Sequence, residues 1–166
     1  QKPFFIRKIY LTIFLIHVVV FTYSQNSSKK EIITPYKTNS IILIDGILTE
    51  TIWQKANLTK EMYDENGTYS NTQAYFTYDS DNLYAAFKCR VNSISKLNKK
   101  KLDKDNELML SNDWVAFCVD SYNDGITAYA FLVDAMGNQL DGALNPPTRD
   151  LSFSFSSSWT SAVKKN

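Results

Sequence analysis

Carboxylates at strand ends and turns have free main-chain carbonyls beside them. That pairing suits a hard, oxygen-seeking cation such as calcium. Asp113, Asp120, Asp124 and Asp141 are placed in this way, and Asp79 and Asp81 flank a further turn. None belongs to a continuous EF-hand loop, since Asp79-Ser80-Asp81-Asn82 begins that pattern and stops. The same residue type at the same places also caps turns, because an Asx side chain accepts from main-chain N–H groups just ahead of it. Both roles are open to these residues. A second group is aromatic. A flat indole can lie on the C–H face of a sugar ring while nearby polar groups meet the hydroxyls. Trp114 and Trp159 are the candidate platforms. Trp114 is out of phase with Val115 and Phe117, so it either meets a ligand or packs beneath a loop. Trp159 is either a platform or a core or edge aromatic. Tyr84 and Arg90 share a strand face and serve either as hydroxyl partners or as a solvated outer row.

Other chemistry is pruned by what the chain lacks. His17 is the single histidine, and it sits in the apolar N-terminal stretch. Beyond that stretch there is no Ser-His-Asp or Cys-His pair, no His-ligated zinc and no His-ligated haem. No haem or zinc is expected. A haem-binding sandwich would need Met62, Met109, Met136 or a lysine as axial ligand. Glycoside hydrolysis needs two carboxylates across a cleft, and a lone small sandwich offers no deep cleft, so a non-catalytic module is expected. Cys89 and Cys118 form no metal signature. They read as buried free thiols, or as a bridge if their strands are neighbours in an oxidising compartment.

These side chains must be positioned by strands. The 166 residues suit one domain. Lys2, Arg7 and Lys8 precede an apolar run over 9–23, and Ser24-Gln25 follows, which is the layout of a secretory signal peptide over 1–24. The run is short for a spanning helix, which takes about 20 residues. An uncut anchor helix is the other reading. Without the three basic residues of 1–24, 15 basic face 17 acidic residues, which leaves no basic footprint for nucleic acid. Residues 25–39 read as a linker and lead-in. Strands are expected at Ser40–Ile44, Thr72–Tyr78, Leu83–Val91, Trp114–Asp120, Thr127–Ala135 and Gln139–Leu144, with turns at Asp45-Gly46, Asn66-Gly67, Ser80–Asn82, Tyr122–Gly125 and Met136–Asn138. Glu50–Ala56 predicts one helical turn capped by Thr49, with Trp53 inward as a plug. The polar stretch 92–112 allows short helices near 95–102 or 107–110. Phe153, Phe155 and Trp159 alternate with serines near the end. The pattern predicts an all-β, antiparallel β-sandwich with jelly-roll or immunoglobulin-like layering.

Three blocks carry a family likeness. The first is Ile44-Asp45-Gly46-Ile47-Leu48-Thr49-Glu50-Thr51-Ile52-Trp53. The second runs from Tyr75-Phe76-Thr77-Tyr78-Asp79 through Asp81-Asn82-Leu83-Tyr84-Ala85-Ala86-Phe87. The third is Asn112-Asp113-Trp114-Val115-Ala116-Phe117-Cys118-Val119-Asp120, continuing through Tyr129-Ala130-Phe131 and Gly137-Asn138-Gln139-Leu140-Asp141. In this order and spacing they resemble family 9 carbohydrate-binding modules, in the form found at the front of large exported Bacteroidetes-type proteins. The resemblance covers roughly 40–142. It implies an exported sandwich, periplasmic, outer-membrane-associated or secreted, that binds a polysaccharide or oligosaccharide and often contains calcium. It also implies a larger C-terminal domain of the same chain as partner, a membrane barrel among the candidates, for which this module could instead be a docking domain. Similar modules show a Trp-Asp pair in their last block, where this chain has Phe153-Ser154-Phe155-Ser156. The closing strand of the family is missing from 40–166, so the sandwich is expected to be truncated.

Overall fold

The computed structural model describes residues 34–56, 62–63, 69–145, 148 and 150–165. The expected signal peptide and the turn at Asn66-Gly67 lie outside them. Among the described residues no helix is long and apolar enough to cross a membrane.

The chain is dominated by two sheets with little helix. The first has the order β1 (Tyr36–Lys37), β4 (Thr72–Tyr78), β5 (Leu83–Cys89). The second has the order β6 (Trp114–Val119), β7 (Tyr129–Asp134), β8 (Gln139–Asn145), β9 (Asp150–Ser152). β2 (Met62–Tyr63) and β3 (Tyr69–Ser70) form a separate short pair. The two larger sheets meet through Phe76 of β4 and Phe117 of β6, whose rings are 6.4 Å apart and tilted edge-on. This is a sandwich-like arrangement. It departs from the expectation in one pairing: β1 runs parallel to β4, with Tyr36 opposite Thr77. Part of the expected lead-in therefore joins the sheet. The buried Thr77 hydroxyl fastens it by donating to the Tyr36 carbonyl at 2.7 Å.

The hairpins form where turn chemistry is written into the chain. Asp79 Oδ1 accepts from the N–H groups of Asp81 (2.8 Å) and Asn82 (2.7 Å), closing the β4–β5 turn. Its Oδ2 accepts the Tyr84 hydroxyl at 2.6 Å. The Tyr84 bond, with the main-chain donors, lowers the Asp79 carboxyl from its ordinary 3.8 to about 2. A depressed carboxylate stabilises the fold above its unfolded pKa and loses that contribution as pH falls through its folded pKa. The window here lies between about pH 4 and about pH 2, and solvent exposure keeps the effect small. In Asp79→Asn the amide still closes the turn, so its thermal midpoint should fall less steeply than the parent's across that window. Identical slopes for the two proteins would remove this assignment.

Strand parity decides what is buried. On the second sheet the fully buried cluster is Ala130, Leu132 and Leu140 with Met109, flanked by Leu102, Ala116, Leu151 and Phe153. This face points away from the first sheet and is covered by the 3-10 turn Glu107–Ser111, which presents Met109. The aromatic face, with Phe117, Phe131 and Tyr129, turns toward the first sheet and is half-buried. The first sheet likewise has a cluster on its far side. Ile42, Trp53 and Ala56 pack there with Ile52, Tyr75, Tyr84 and Ala86. Trp53 sits on the short helix α1 (Ile52–Lys55) and is buried as expected, its indole N–H donating to Glu50 Oε2 at 2.9 Å. Its N-cap position is Thr51 rather than Thr49, and it has no side-chain cap. Ser40–Ile44, expected as the first strand, forms no ladder, and Leu43 N–H donates instead to Glu50 Oε1 at 2.9 Å. Gly46 (φ +79°) turns the chain where a Cβ would sit 2.7 Å from the Lys164 backbone nitrogen, so only glycine fits this approach.

Candidate functional site

The sugar-contact candidates do not converge. Trp114 opens β6 on the outward face of the second sheet, opposite Asp134 across the ladder, and is 43% exposed. Trp159 lies against the other face, edge-on to Phe131 at 5.5 Å, and its indole N–H donates to Asp141 Oδ1 at 3.1 Å. Tyr84 belongs to the far cluster of the first sheet, with its hydroxyl committed to Asp79. Arg90 falls one residue past β5, exposed, and its main-chain N–H donates to the Asn71 carbonyl at 3.1 Å. Four residues on three separate surfaces cannot line one ligand.

The aspartates are occupied by the chain's own donors. Asp113 Oδ2 accepts from Asn98 N–H at 2.5 Å. Asp120 holds the β6–β7 loop, accepting from the N–H groups of Tyr122, Asp124 and Gly125. Asp124 accepts from Ile126 and Thr127 N–H and from the Thr127 hydroxyl. The Thr127 main-chain bond leads in holding its carboxyl below the usual range. The Asp120 and Asp124 bonds are the local Asx-turn kind. Asp113 and Asp120 stand at opposite ends of β6. A calcium ion takes six to eight oxygen ligands. Among the described residues no group of three or more His, Cys, Asp or Glu side chains is placed to hold a metal ion.

Asp141 and Trp159 bring a carboxylate candidate and a tryptophan candidate into contact, and the sequence did not point to the residues around them. Asp141 is fully buried and also accepts from Ser157 N–H at 2.5 Å. Lys104 Nζ stands 3.6 Å from Asp141 and 3.4 Å from Asp105, and donates to the Ser157 carbonyl at 2.8 Å. The lysine ammonium thus answers the charge of both carboxylates, in the place a cation would take. Asp105 adopts φ +59°. Its Oδ1 is buried without a hydrogen-bond partner among the described residues, and its Oδ2 accepts the Ser156 hydroxyl at 2.8 Å. Burial raises the Asp105 carboxyl, but the Ser156 hydroxyl, Asp141 and Lys104 outweigh it and hold the group below its ordinary value. The sequence signal for this cluster was weak. Lys104 and Asp105 lie in a polar stretch that reads as solvated loop.

Two hollows border these elements. One, of about 410 Å³, is polar and lies between Lys37–Ile42 and the β4–β5 turn, with Tyr84 and Asp79 on its wall. The other, of about 230 Å³, lies beside Asp120 and Ile126. Met109, one of the methionines named above, is buried in the core. Both cysteines are free and exposed, one on each sheet, which corrects the expectation of buried thiols. Compared with family models, curated proteins and solved structures, the chain has no match.

Proposed function

We propose that this chain is a non-catalytic carbohydrate-binding module of the family 9 type, with jelly-roll or immunoglobulin-like layering, carried by a larger exported protein. The observation that supports it best is Trp114, a large aromatic left 43% exposed at the start of a strand while the other two tryptophans are held by acidic partners. An indole in that position offers a flat apolar face that a sugar ring can cover. A structural calcium forms no part of the proposal, because no described carboxylate cluster assembles the oxygens for one.

The test is retention on insoluble cellulose, xylan, chitin, mannan and starch. Trp114→Ala should weaken retention about tenfold, in line with about 1.4 kcal/mol for one lost aromatic contact. Its unfolding midpoint should stay near the parent's, since exposed substitutions shift stability by about 0.5 kcal/mol or less. Unchanged retention by a folded Trp114→Ala protein would move the site elsewhere.

A docking domain is the second reading. It is favoured by an apolar strip that includes Ile41 (84% exposed) and Leu43 (63%), with Ile44, Ile47 and Leu48 beside them. Such strips mark protein contact surfaces. Absence of retention on every polysaccharide, together with protein association abolished by Ile41→Lys and kept in Trp114→Ala, would favour it.

A further inference from the structure

The chain leaves the β1 ladder at Thr38, whose N–H donates to the Tyr78 carbonyl at 2.7 Å. Residues 40–44 then have the β-branched composition of a strand and no strand beside them. Ser40 N–H donates to the Thr38 hydroxyl and Leu43 N–H to Glu50. Ile41, Ile42 and Ile44 make no hydrogen bond among the described residues. Ile42 is buried in the Trp53 cluster, while Ile41 and Leu43 on either side of it are exposed. Native edges are blunted by lysine, other charges or proline, and 40–44 has none of these. Ile41, Leu43, Ile44, Ile47 and Leu48 are all exposed, a patch on the order of 500 Å². A two-fold contact uses one surface twice, so the patch against itself reaches the roughly 1,000 Å² that a specific interface needs. The segment is also complementary to itself. Antiparallel pairing about Ile42 sets Ile41 of each copy opposite Leu43 of the other. Centring the pair on Ile41 or on Leu43 instead sets Leu43 against Asn39 or Ile41 against Asp45. The flanks match too, because Lys37 before the segment and Asp45 after it come together across the two-fold as unlike charges.

We propose that this chain pairs with a second copy of itself through residues 40–44, laid antiparallel, with Ile41 of each copy packed on Leu43 of the other. This pairing is independent of the carbohydrate-binding reading, since Trp114 belongs to the other sheet.

Sedimentation velocity of the chain between about 1 and about 100 μM should show monomer passing to dimer, the range in which an interface of this size associates. Ile41→Lys and Leu43→Lys, each on an exposed side chain, should raise the dissociation constant by about tenfold or more. Both variants should keep the parent's unfolding midpoint and its retention on polysaccharide. The register is read by cross-linking in a Cys89→Ser, Cys118→Ser background, which removes both native thiols. There an equimolar mixture of Ile41→Cys and Leu43→Cys chains should form disulfide dimers faster than either chain alone, because the two positions face each other. A monomer throughout the concentration range overturns the pairing. So does a dimer that survives both lysine substitutions, or cross-linking equally fast in every combination. A monomer that binds an apolar dye, with the dye lost in Ile41→Lys, overturns it as well and leaves the strip to a different protein. Loss of polysaccharide retention in a protein that still dimerises would sink the sugar reading and not this one.

Discussion

Asp134→Ala is expected to lower the unfolding free energy by about 3–4 kcal/mol, the cost of stranding several buried donors at once. Asp134 is 2% exposed and sits at the end of β7. Its Oδ2 accepts from Asn112 Nδ2 (2.5 Å) and Asn138 Nδ2 (2.7 Å), and its Oδ1 from the N–H groups of Met136 and Asn138. The two asparagines in turn grip the loop over the outward face of the second sheet. Asn112 exchanges two hydrogen bonds with the Lys100 main chain. Asn138 donates to the Lys100 carbonyl and accepts from Leu102 N–H. Removing the carboxylate therefore frees both the β7–β8 turn and the segment that brings Leu102 and Met109 onto the core. Asn138→Ala should cost less, about 1–3 kcal/mol, because it leaves the Asn112 bridge in place. Denaturant melts check the order. A loss below about 1 kcal/mol for Asp134→Ala would mean that water replaces the aspartate, and the network would not then hold the loop.

Asp141→Ala should be of similar size, about 3–5 kcal/mol, the range for stripping one partner from a buried charged pair. Two donors lose their acceptor, Ser157 N–H and the Trp159 indole, and Lys104 Nζ loses an ion-pair partner 3.6 Å away. The lysine end is 40% exposed, and screening trims its share. The readout is local as well as global. Trp159 is held by the Asp141 bond and by its edge contact with Phe131, so the near-UV signal and fluorescence of the protein should change with the melt. Trp159→Phe keeps a smaller aromatic against Phe131 and drops the N–H, and about 1–2 kcal/mol is expected. Asp141→Ala with an unshifted denaturant midpoint and an unchanged tryptophan signal would show that the segment 155–161 is held by other contacts. Together with the sugar tests on Trp114, the pair of variants separates a tryptophan that supports the fold from one that is free to bind.

Local pattern made much of the strand set readable. Thr72–Tyr78 and Leu83–Cys89 alternate with period two and are joined by an Asx turn, and the observed hairpin has that register. The β6–β7 loop and the Met136–Asn138 turn were marked by Asp, Asn and Gly residues that accept or supply the required backbone geometry. Ser40–Ile44 misled because β-branched composition describes fitness for a ladder and not the presence of a partner. Its Leu43 N–H found Glu50 instead. Phe117 and Phe131 are half-buried, while the smaller Ala130, Leu132 and Leu140 are the fully buried ones. Period two tells which residues share a face, but it carries no label for which face is covered.

The residues alone marked the longer strands and the hairpin turns at 80–82, 122–125 and 136–138, because each depends on spacing or residue type within a few positions. Tertiary structure decided which tryptophan is free and which is fastened. It also decided which aspartates cap turns and which is buried, and it showed that Lys104 and Asp105 join Asp141. Those outcomes depend on contacts between segments tens of residues apart, such as Lys104 with Ser157 and Lys100 with Asn138. No local periodicity encodes such contacts.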